Sequence, residues 1–391
     1  MKSYLSHLEC TWCGSIHDHK QAIRTCPDCG KVLFARYDLG AARREVNPAV
    51  FRERASSMWR FFELMPVLDQ GNVVSLGEGG TPLLNAENLG RKLGLEHLYI
   101  KDEGLNPTGS FKARGLSAAV SKAKEVGQPR LTMPTAGNAG GALAAYAARA
   151  GMESYVYMPR DAPEANLKET RVLGSNLLLV DGMIGDAGRI SQQKAEEEGL
   201  FDLSTLREPY RAEGKKTMAL ELAMELGWEA PDVIVYPTGG GTGIVGMWKA
   251  FQELQELGWI DGPQPKFVSV QAEGCQPLVK AFEAGQDQAE PFPNASTVAH
   301  GLRVPGVFAD YIVLRVLRET GGTALAVTDG EMVEAMGEMG AAEGVMACPE
   351  GAATLVGLKR LQEQGFLKGD ERVILMNTGS GYKYLDLLET K

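Results

Sequence analysis

No apolar run in the chain approaches the roughly 18 residues that a membrane-spanning helix requires, and Met1 to Leu8 has no apolar core of the kind a secretory signal carries. A cytoplasmic protein is expected. Positive charge is in deficit, with 40 Lys and Arg against 50 Asp and Glu, and the net charge of -10 argues against a nucleic-acid surface or an anionic membrane as partner. Histidine is scarce. Of the five, His300 has no visible partner in its loop and His7, His17 and His19 read as surface residues. Glycine is plentiful, at 47 residues, and several cluster beside expected strands, a pattern of backbone coming close to a ligand. The 391 residues exceed a usual single domain, so about two domains with an appendage are expected.

The appendage is legible first. Cys10-Thr-Trp-Cys13 and Cys26-Pro-Asp-Cys29 are two C-x2-C knuckles separated by twelve residues, each followed by glycine (Gly14, Gly30). Four thiolates so spaced suit one tetrahedral ion, with zinc the expected metal. Four sulfurs close the site, so the metal would be structural, stabilising about 40 residues too few to build a core alone. With no dense basic patch, a packing or dimer-contact role fits this ribbon better than nucleic-acid binding. Glu45 to Leu68, with Phe51, Met58, Trp59, Phe61, Phe62 and Met65, reads as an amphipathic helix docking the ribbon onto the body. Ser75 to Leu83 reads only as a loop.

The body alternates strands with helices, the signature of a mostly parallel sheet wrapped by helices. Expected strands are Leu98–Lys101, Arg130–Met133, Ser154–Met158, Asn176–Val180, Asp232–Tyr236, Phe267–Gln271 and Ala324–Thr328. Expected helices include Leu116–Val126, Gly141–Ala150, Thr217–Leu226, Gln276–Ala284, Val307–Arg318 and Asp329–Met339. Cys275 and Cys348 are expected as buried thiols.

Chemistry concentrates in four turns. In Leu105-Asn-Pro-Thr-Gly-Ser-Phe-Lys-Ala-Arg-Gly115, Ser110 stands where a helix N-cap is expected and Lys112 falls in the first turn. The positive end of the helix disfavours protonation there, and a neutral amine attacks carbonyls, which makes Lys112 the candidate nucleophile. Pro134-Thr-Ala-Gly-Asn-Ala-Gly-Gly141 joins a strand to a helix and offers N–H donors to a carboxylate or phosphate, with Asn138 either adding its amide or capping the helix. Pro237-Thr-Gly-Gly-Gly-Thr-Gly243 is a phosphate cup. It also matches G-x-G-x-x-G from Gly241 to Gly246, with Glu273 ending the next strand, so a dinucleotide is a rival ligand. Thr378, after Val373-Ile-Leu-Met-Asn377, puts a hydroxyl at the end of a buried strand. Arg211 either clamps an anion or pairs with Glu213 on the surface.

Taken in order, Gly109-Ser-Phe-Lys112, Ala136-Gly-Asn138, Gly239-Gly-Gly-Thr-Gly243 and Thr378-Gly-Ser-Gly381 resemble the fold type II pyridoxal-phosphate enzymes. With the ribbon, Ser75–Pro82, Asn106–Lys112 and Pro209–Thr217, the chain is similar to the threonine synthases over essentially its whole length. The resemblance implies an α/β fold of two open, mostly parallel twisted sheets with helices on both faces, preceded by a small zinc ribbon. It divides the chain into a ribbon at 1–40, a larger cofactor domain at 41–113 and 204–391, and a smaller mobile domain at 114–203, in a homodimer. It further implies a Schiff base between Lys112 and pyridoxal 5'-phosphate, with Asn138 on the ring hydroxyl, Gly239, Gly240, Gly241, Thr242 and Gly243 around the phosphate, and Thr378 facing the pyridine nitrogen. The substrate carboxylate falls to Thr135, Ala136, Gly137, Asn138 and Ala139, with Ser110 beside them, and the phosphate of O-phosphohomoserine to Arg211.

Two departures keep the substrate open. Ala113 follows the lysine where the family has Asp, and Thr205-Leu-Arg-Glu208 stands where the family offers Asn and Ser to phosphate. A carboxylate at Glu208 repels a phosphate unless Arg207 offsets it. Thr297–Arg303 also resembles threonine or serine dehydratases. Competing expectations are therefore an ammonia-lyase or a cysteate-synthase-like enzyme within the superfamily, and outside it a nicotinamide oxidoreductase or a zinc-ribbon binding protein.

Overall fold

The computed structural model describes residues 1–388. Strands in chain order are β1 Leu5–Cys10, β2 Ile16–His17, β3 Leu33–Tyr37, β4 Leu83–Asn85, β5 Leu98–Asp102, β6 Arg130–Pro134, β7 Glu153–Pro159, β8 Asn176–Val180, β9 Phe201–Asp202, β10 Val233–Pro237, β11 Lys266–Ala272, β12 Thr323–Val327 and β13 Val373–Asn377. Helices are α1 Leu39–Glu45, α2 Val50–Glu53, α3 Glu87–Leu93, α4 Lys112–Glu125, α5 Ala139–Ala150, α6 Glu164–Val172, α7 Ile184–Glu198, α8 Tyr210–Glu225, α9 Thr242–Glu256, α10 Pro277–Glu283, α11 Asp310–Glu319, α12 Asp329–Glu343 and α13 Pro349–Glu363. No described helix is long and apolar enough to cross a membrane.

The chain forms two compact units. The first comprises Met1–Gly80, Lys112–Glu221 and Gln252–Trp259. It contains the antiparallel ribbon sheet β2-β1-β3 and a parallel sheet ordered β8-β7-β6-β9. Because β7 and β9 flank β6 on opposite sides, the winding direction reverses between β6 and β9, which opens a crevice at their carboxyl ends. Buried carboxylates organise this unit. Glu78 accepts hydrogen bonds from Trp59 Nε1 (2.9 Å), Ser117 Oγ (2.6 Å), Tyr146 Oη (2.6 Å) and the Leu76 amide (2.9 Å). Glu221 takes both guanidinium nitrogens of Arg114 at 2.7 Å, and neither side chain is exposed.

The second unit comprises Thr81–Phe111, Leu222–Phe251 and Ile260–Lys391. Its sheet runs β12-β11-β10-β13-β5-β4, parallel except for the antiparallel edge strand β4. Val-Ile-Val-Tyr-Pro in β10 and Val-Ile-Leu-Met-Asn in β13 are buried throughout, as central parallel strands covered on both faces must be. Ile100, Val235, Val270, Leu355 and Leu375 belong to one core formed by strands and α13. Its reversal lies between β10 and β13.

Several elements differ from expectation. Glu45–Leu68 is not one amphipathic helix: α2 is a single turn, and Ser57 accepts the Trp59 amide to start a separate 3-10 segment, Met58–Leu64, kinked at Phe61. Ser110 lies one residue outside the cap position of α4, because its extended backbone bridges to Gly379. Helix α8 begins at Tyr210, seven residues before Thr217, since Glu208 accepts the Tyr210 and Arg211 amides (2.7 and 3.1 Å) and so caps it. Helix α13 was unforeseen. His17 and His19 are not surface residues: the His17 side chain is 13% exposed and His19 is buried.

Candidate active site and metal centre

In the second unit three neighbouring strands, β10, β13 and β5, deliver their following loops to one carboxyl edge. These loops carry Gly239–Gly243, Thr378 and Ser110, so the unit brings those residues to the place where open α/β sheets bind ligands. The stretch before Lys112 is tied down by backbone. Phe111 N–H donates to Thr378 O (3.0 Å), Ser380 N–H donates to Gly109 O (2.9 Å), and Lys383 Nζ donates to Thr108 O (2.8 Å). Buried Glu103 holds the same turn, accepting from Asn106 Nδ2 (2.8 Å) and Thr81 Oγ1 (2.6 Å). Beneath the strand ends, burial pushes the Asp102 carboxyl up while Asn377 Nδ2 donates to it at 2.8 Å.

The glycine run fits an anion. A Cβ on Gly243 would lie 1.9 Å from Tyr236 Oη, and one on Gly239 would lie 2.2 Å from Gly301 O. Gly241 has φ +79° and would meet Val313 at 2.4 Å. Only glycine fits here. Helix α9 starts at Thr242, and its first amides have no intrahelical acceptors. Tyr236 Oη, buried beside the run, has no hydrogen-bond partner, and burial raises its pKa well above the usual phenol range.

Thr378 is buried, and Cys348 N–H donates to Gly379 O at 3.1 Å beside it. Cys348 and Cys275 are both buried thiols, the latter pushed up to about 11 by burial. Glu350, in the first turn of α13, was not anticipated: its Oε1 accepts from the Gly301 amide (2.8 Å) and Tyr384 Oη (3.1 Å), and its buried Oε2 has no partner. Glu273, the acidic residue a ribose would need, is exposed and lies 3.8 Å from Arg360.

In the first unit, β6 and β9 lead into Thr135–Ala139 and Ser204–Arg211, both at the carboxyl edge. Lys112 is the first residue of α4 and is half-buried. Gly137 N–H donates to Thr135 Oγ1 at 3.1 Å, while Ala136 and Ala139 are buried. Asn138 stands at the N-cap of α5 in helical backbone geometry, but its side chain makes no capping hydrogen bond, so the capping explanation for this residue does not hold. Arg211 is buried and does not form the surface pair with Glu213. Its Nη1 donates to Leu203 O (2.7 Å) and Thr205 Oγ1 (3.3 Å), and its Nε has no partner. Glu213 instead pairs with Lys216 (2.7 Å) and accepts from Tyr37 Oη (2.7 Å). Burial pushes the Glu208 carboxyl up to about 7, against the opposing pull of Arg211 and the two amides it accepts.

The four sulfurs of Cys10, Cys13, Cys26 and Cys29 lie within 4.8 Å of one another. Measured edges are 3.4 Å (Cys10 to Cys29) and 3.7 Å (Cys13 to Cys26). A tetrahedral centre with metal–sulfur bonds of about 2.3 Å has edges of about 3.8 Å, so the cluster could hold a metal ion. Gly14 and Gly30 both have positive φ, +74° and +72°, which turns each knuckle the same way.

Residues 74–379 match the family described as pyridoxal-phosphate dependent enzyme. The chain is 37% identical over 375 residues to threonine synthase of Methanocaldococcus jannaschii, covering 96% of this chain and 92% of that protein. It is 35% identical over 374 residues to threonine synthase of Methanosarcina acetivorans, covering 95% and 91%. The chain belongs to the threonine synthase family of pyridoxal-phosphate dependent enzymes. Among solved structures, maize serine racemase superposes with a TM-score of 0.67 at 22% identity, covering 78% of this chain and 92% of that one. Processed threonine deaminase isoform 2 from Solanum lycopersicum superposes with a TM-score of 0.66 at 21% identity, covering 78% and 86%. These two establish the fold type II architecture alone. Membership sets aside the nicotinamide reading of Gly241–Gly246.

Proposed function

We propose that the protein is a threonine synthase, converting O-phospho-L-homoserine and water to L-threonine and phosphate. The observation that carries this reading is the 37% identity to the Methanocaldococcus jannaschii enzyme across nearly both whole chains, ribbon included. The glycine run, closed to any side chain, and the orphaned Tyr236 hydroxyl beside it fit a phosphorylated cofactor. When bound, pyridoxal phosphate supplies an electrophilic aldehyde and a ring that withdraws electrons from substrate carbons.

Lys112 would hold the cofactor through its amine, Asn138 would meet the ring hydroxyl, Gly239–Gly243 the phosphate and Thr378 the pyridine nitrogen. Released by substrate, Lys112 Nζ would take the Cα proton, pass it on, and then take a Cβ proton, so that phosphate leaves Cγ; protons returned to Cγ and Cα and water adding at Cβ would complete threonine. Ser110, Thr135, Ala136, Gly137 and Ala139 would hold the substrate carboxylate, and Arg211 its phosphate. Residues 114–203 would move as the smaller domain, with 41–113 and 204–391 as the larger. Four cysteines would bind structural zinc, and the enzyme would work as a cytoplasmic homodimer.

One observation favours a second reading, a threonine or serine ammonia-lyase. Glu208 already places the chain's own carboxylate on the first amides of α8, next to Arg211. Two assays decide. Phosphate release from O-phosphohomoserine, together with a visible cofactor band that borohydride removes and Lys112→Ala lacks, supports the synthase. Keto-acid release from threonine with no phosphate release refutes it in favour of the lyase.

A further inference from the structure

The cysteine centre contains a histidine that a four-sulfur site leaves unused. His17 lies on β2, held in register opposite Leu8 of β1. Its Nε2 stands 3.4 Å from Cys26 Sγ and 4.0 Å from Asp28 Oδ2. Ligand atoms of His17, Cys26 and Asp28 all lie within 4.8 Å of one another, a second cluster sharing Cys26 with the first. The histidine side chain is 13% exposed and Asp28 is 59% exposed, so the imidazole is turned inward and the carboxylate flanks it from solvent.

Four thiolates around a divalent ion leave a formal charge of about -2, and each sulfur is then an acceptor only. Donors are supplied locally within each knuckle, and Cys26 Sγ itself faces the Asp28 and Cys29 amides. Cys10 Sγ receives the Trp12 and Cys13 amides, each at 3.5 Å, and Cys13 Sγ has Ser15 Oγ at 3.3 Å. Cys26 is almost fully buried, where uncompensated charge costs most. A ring nitrogen facing a thiolate at 3.4 Å must carry its proton, because two lone pairs would otherwise oppose each other. We infer that His17 is a positioning residue of the metal centre, donating Nε2–H to the metal-bound Cys26 thiolate from outside both knuckles. It is not a ligand. The inference rests on the zinc reading of the four cysteines.

The test compares the full-length protein with His17→Ala and His17→Gln. Metal content is measured as purified, affinity by competition with a chromophoric chelator, and the ligand set by the thiolate charge-transfer bands after cobalt substitution. The expected result is a four-thiolate cobalt spectrum in all three proteins, an affinity lowered about 10–100-fold in His17→Ala, and partial recovery in His17→Gln, whose amide restores a donor. The retained spectrum in His17→Ala shows that the ribbon is still assembled. Equal affinity in wild type and His17→Ala overturns the inference, as does a wild-type spectrum with only three thiolates, which would make His17 a ligand. A wild-type protein that takes up no metal overturns the zinc reading itself.

Discussion

Arg114 lies two residues after Lys112, and its pairing with Glu221 sets the first turn of α4. Both side chains are completely buried, both contacts are 2.7 Å, and Glu221 also accepts the Gly80 amide at 2.8 Å. Glu221→Ala leaves a guanidinium in the interior without its carboxylate, which costs about 3–5 kcal/mol. The first unit has roughly 200 residues, a size at which 1 kcal/mol moves Tm by about 2–4 °C, so a loss of roughly 6–20 °C is expected in its calorimetric transition. Arg114→Ala strands Glu221 in the same way. The double variant should therefore fall close to either single one, well short of their sum, and the cycle reads out the coupling. Lys194→Ala is the control: its pair with Glu197 has the same 2.7 Å separation, but the side chains are 42% and 46% exposed, and solvent screening leaves little or no shift to be expected. If Glu221→Ala melts within about 2 °C of the wild type, or if the two single effects add, the pair does not hold the unit as described.

Three further outcomes follow from the same structure. Glu208 has its carboxyl raised to about 7 from 4.5, so between those values the folded state binds more protons than the unfolded and stability falls as pH rises, by up to about 3 kcal/mol. Glu208→Gln should flatten that slope in urea titrations, and an unchanged slope refutes the assignment. Gly243→Ala drives a Cβ onto Tyr236 Oη and should weaken pyridoxal phosphate at least about tenfold in absorbance titrations, whereas unaltered affinity would remove the run from the site. Glu78→Ala strands the Tyr146 hydroxyl, while Trp59 Nε1 keeps Ser117 Oγ and Ser117 keeps Val74 O as acceptors, and should cost about 1–3 kcal/mol, read as a lowered denaturant midpoint; a midpoint equal to wild type would mean the Tyr146 hydroxyl finds another partner.

What the sequence made legible was what repeats or alternates. Continuous apolar runs announced β10 and β13, and the glycines flanking them announced ligand loops, because a strand covered on both faces leaves no polar position to disguise it. The cysteine spacing announced a cluster of four sulfurs that could hold a metal ion. Single carboxylates left no such trace: Glu78, Glu103 and Glu350 are buried organisers that each take at least one donor from a distant segment, and no local pattern distinguishes them from solvated glutamates. The expected helix at Thr217 began past Gly214, a residue type that disfavours helix interiors and yet lies inside α8. It is glycine because a Cβ there would meet Arg114 O at 2.1 Å. His17 was missed because its partner is a sulfur nine residues away that has already been counted as a ligand.

The contacts that fasten residues 109–111 to residues 378–380 run from main chain to main chain. No change of side chain at those positions, proline apart, removes the groups that make them. Substitutions at 378 can therefore change the side chain presented at this strand end while the scaffold leading into the lysine keeps its register. Selection, or an engineer, can vary that side chain without dismantling the mount, and a shortened or proline-bearing loop would be needed to break it.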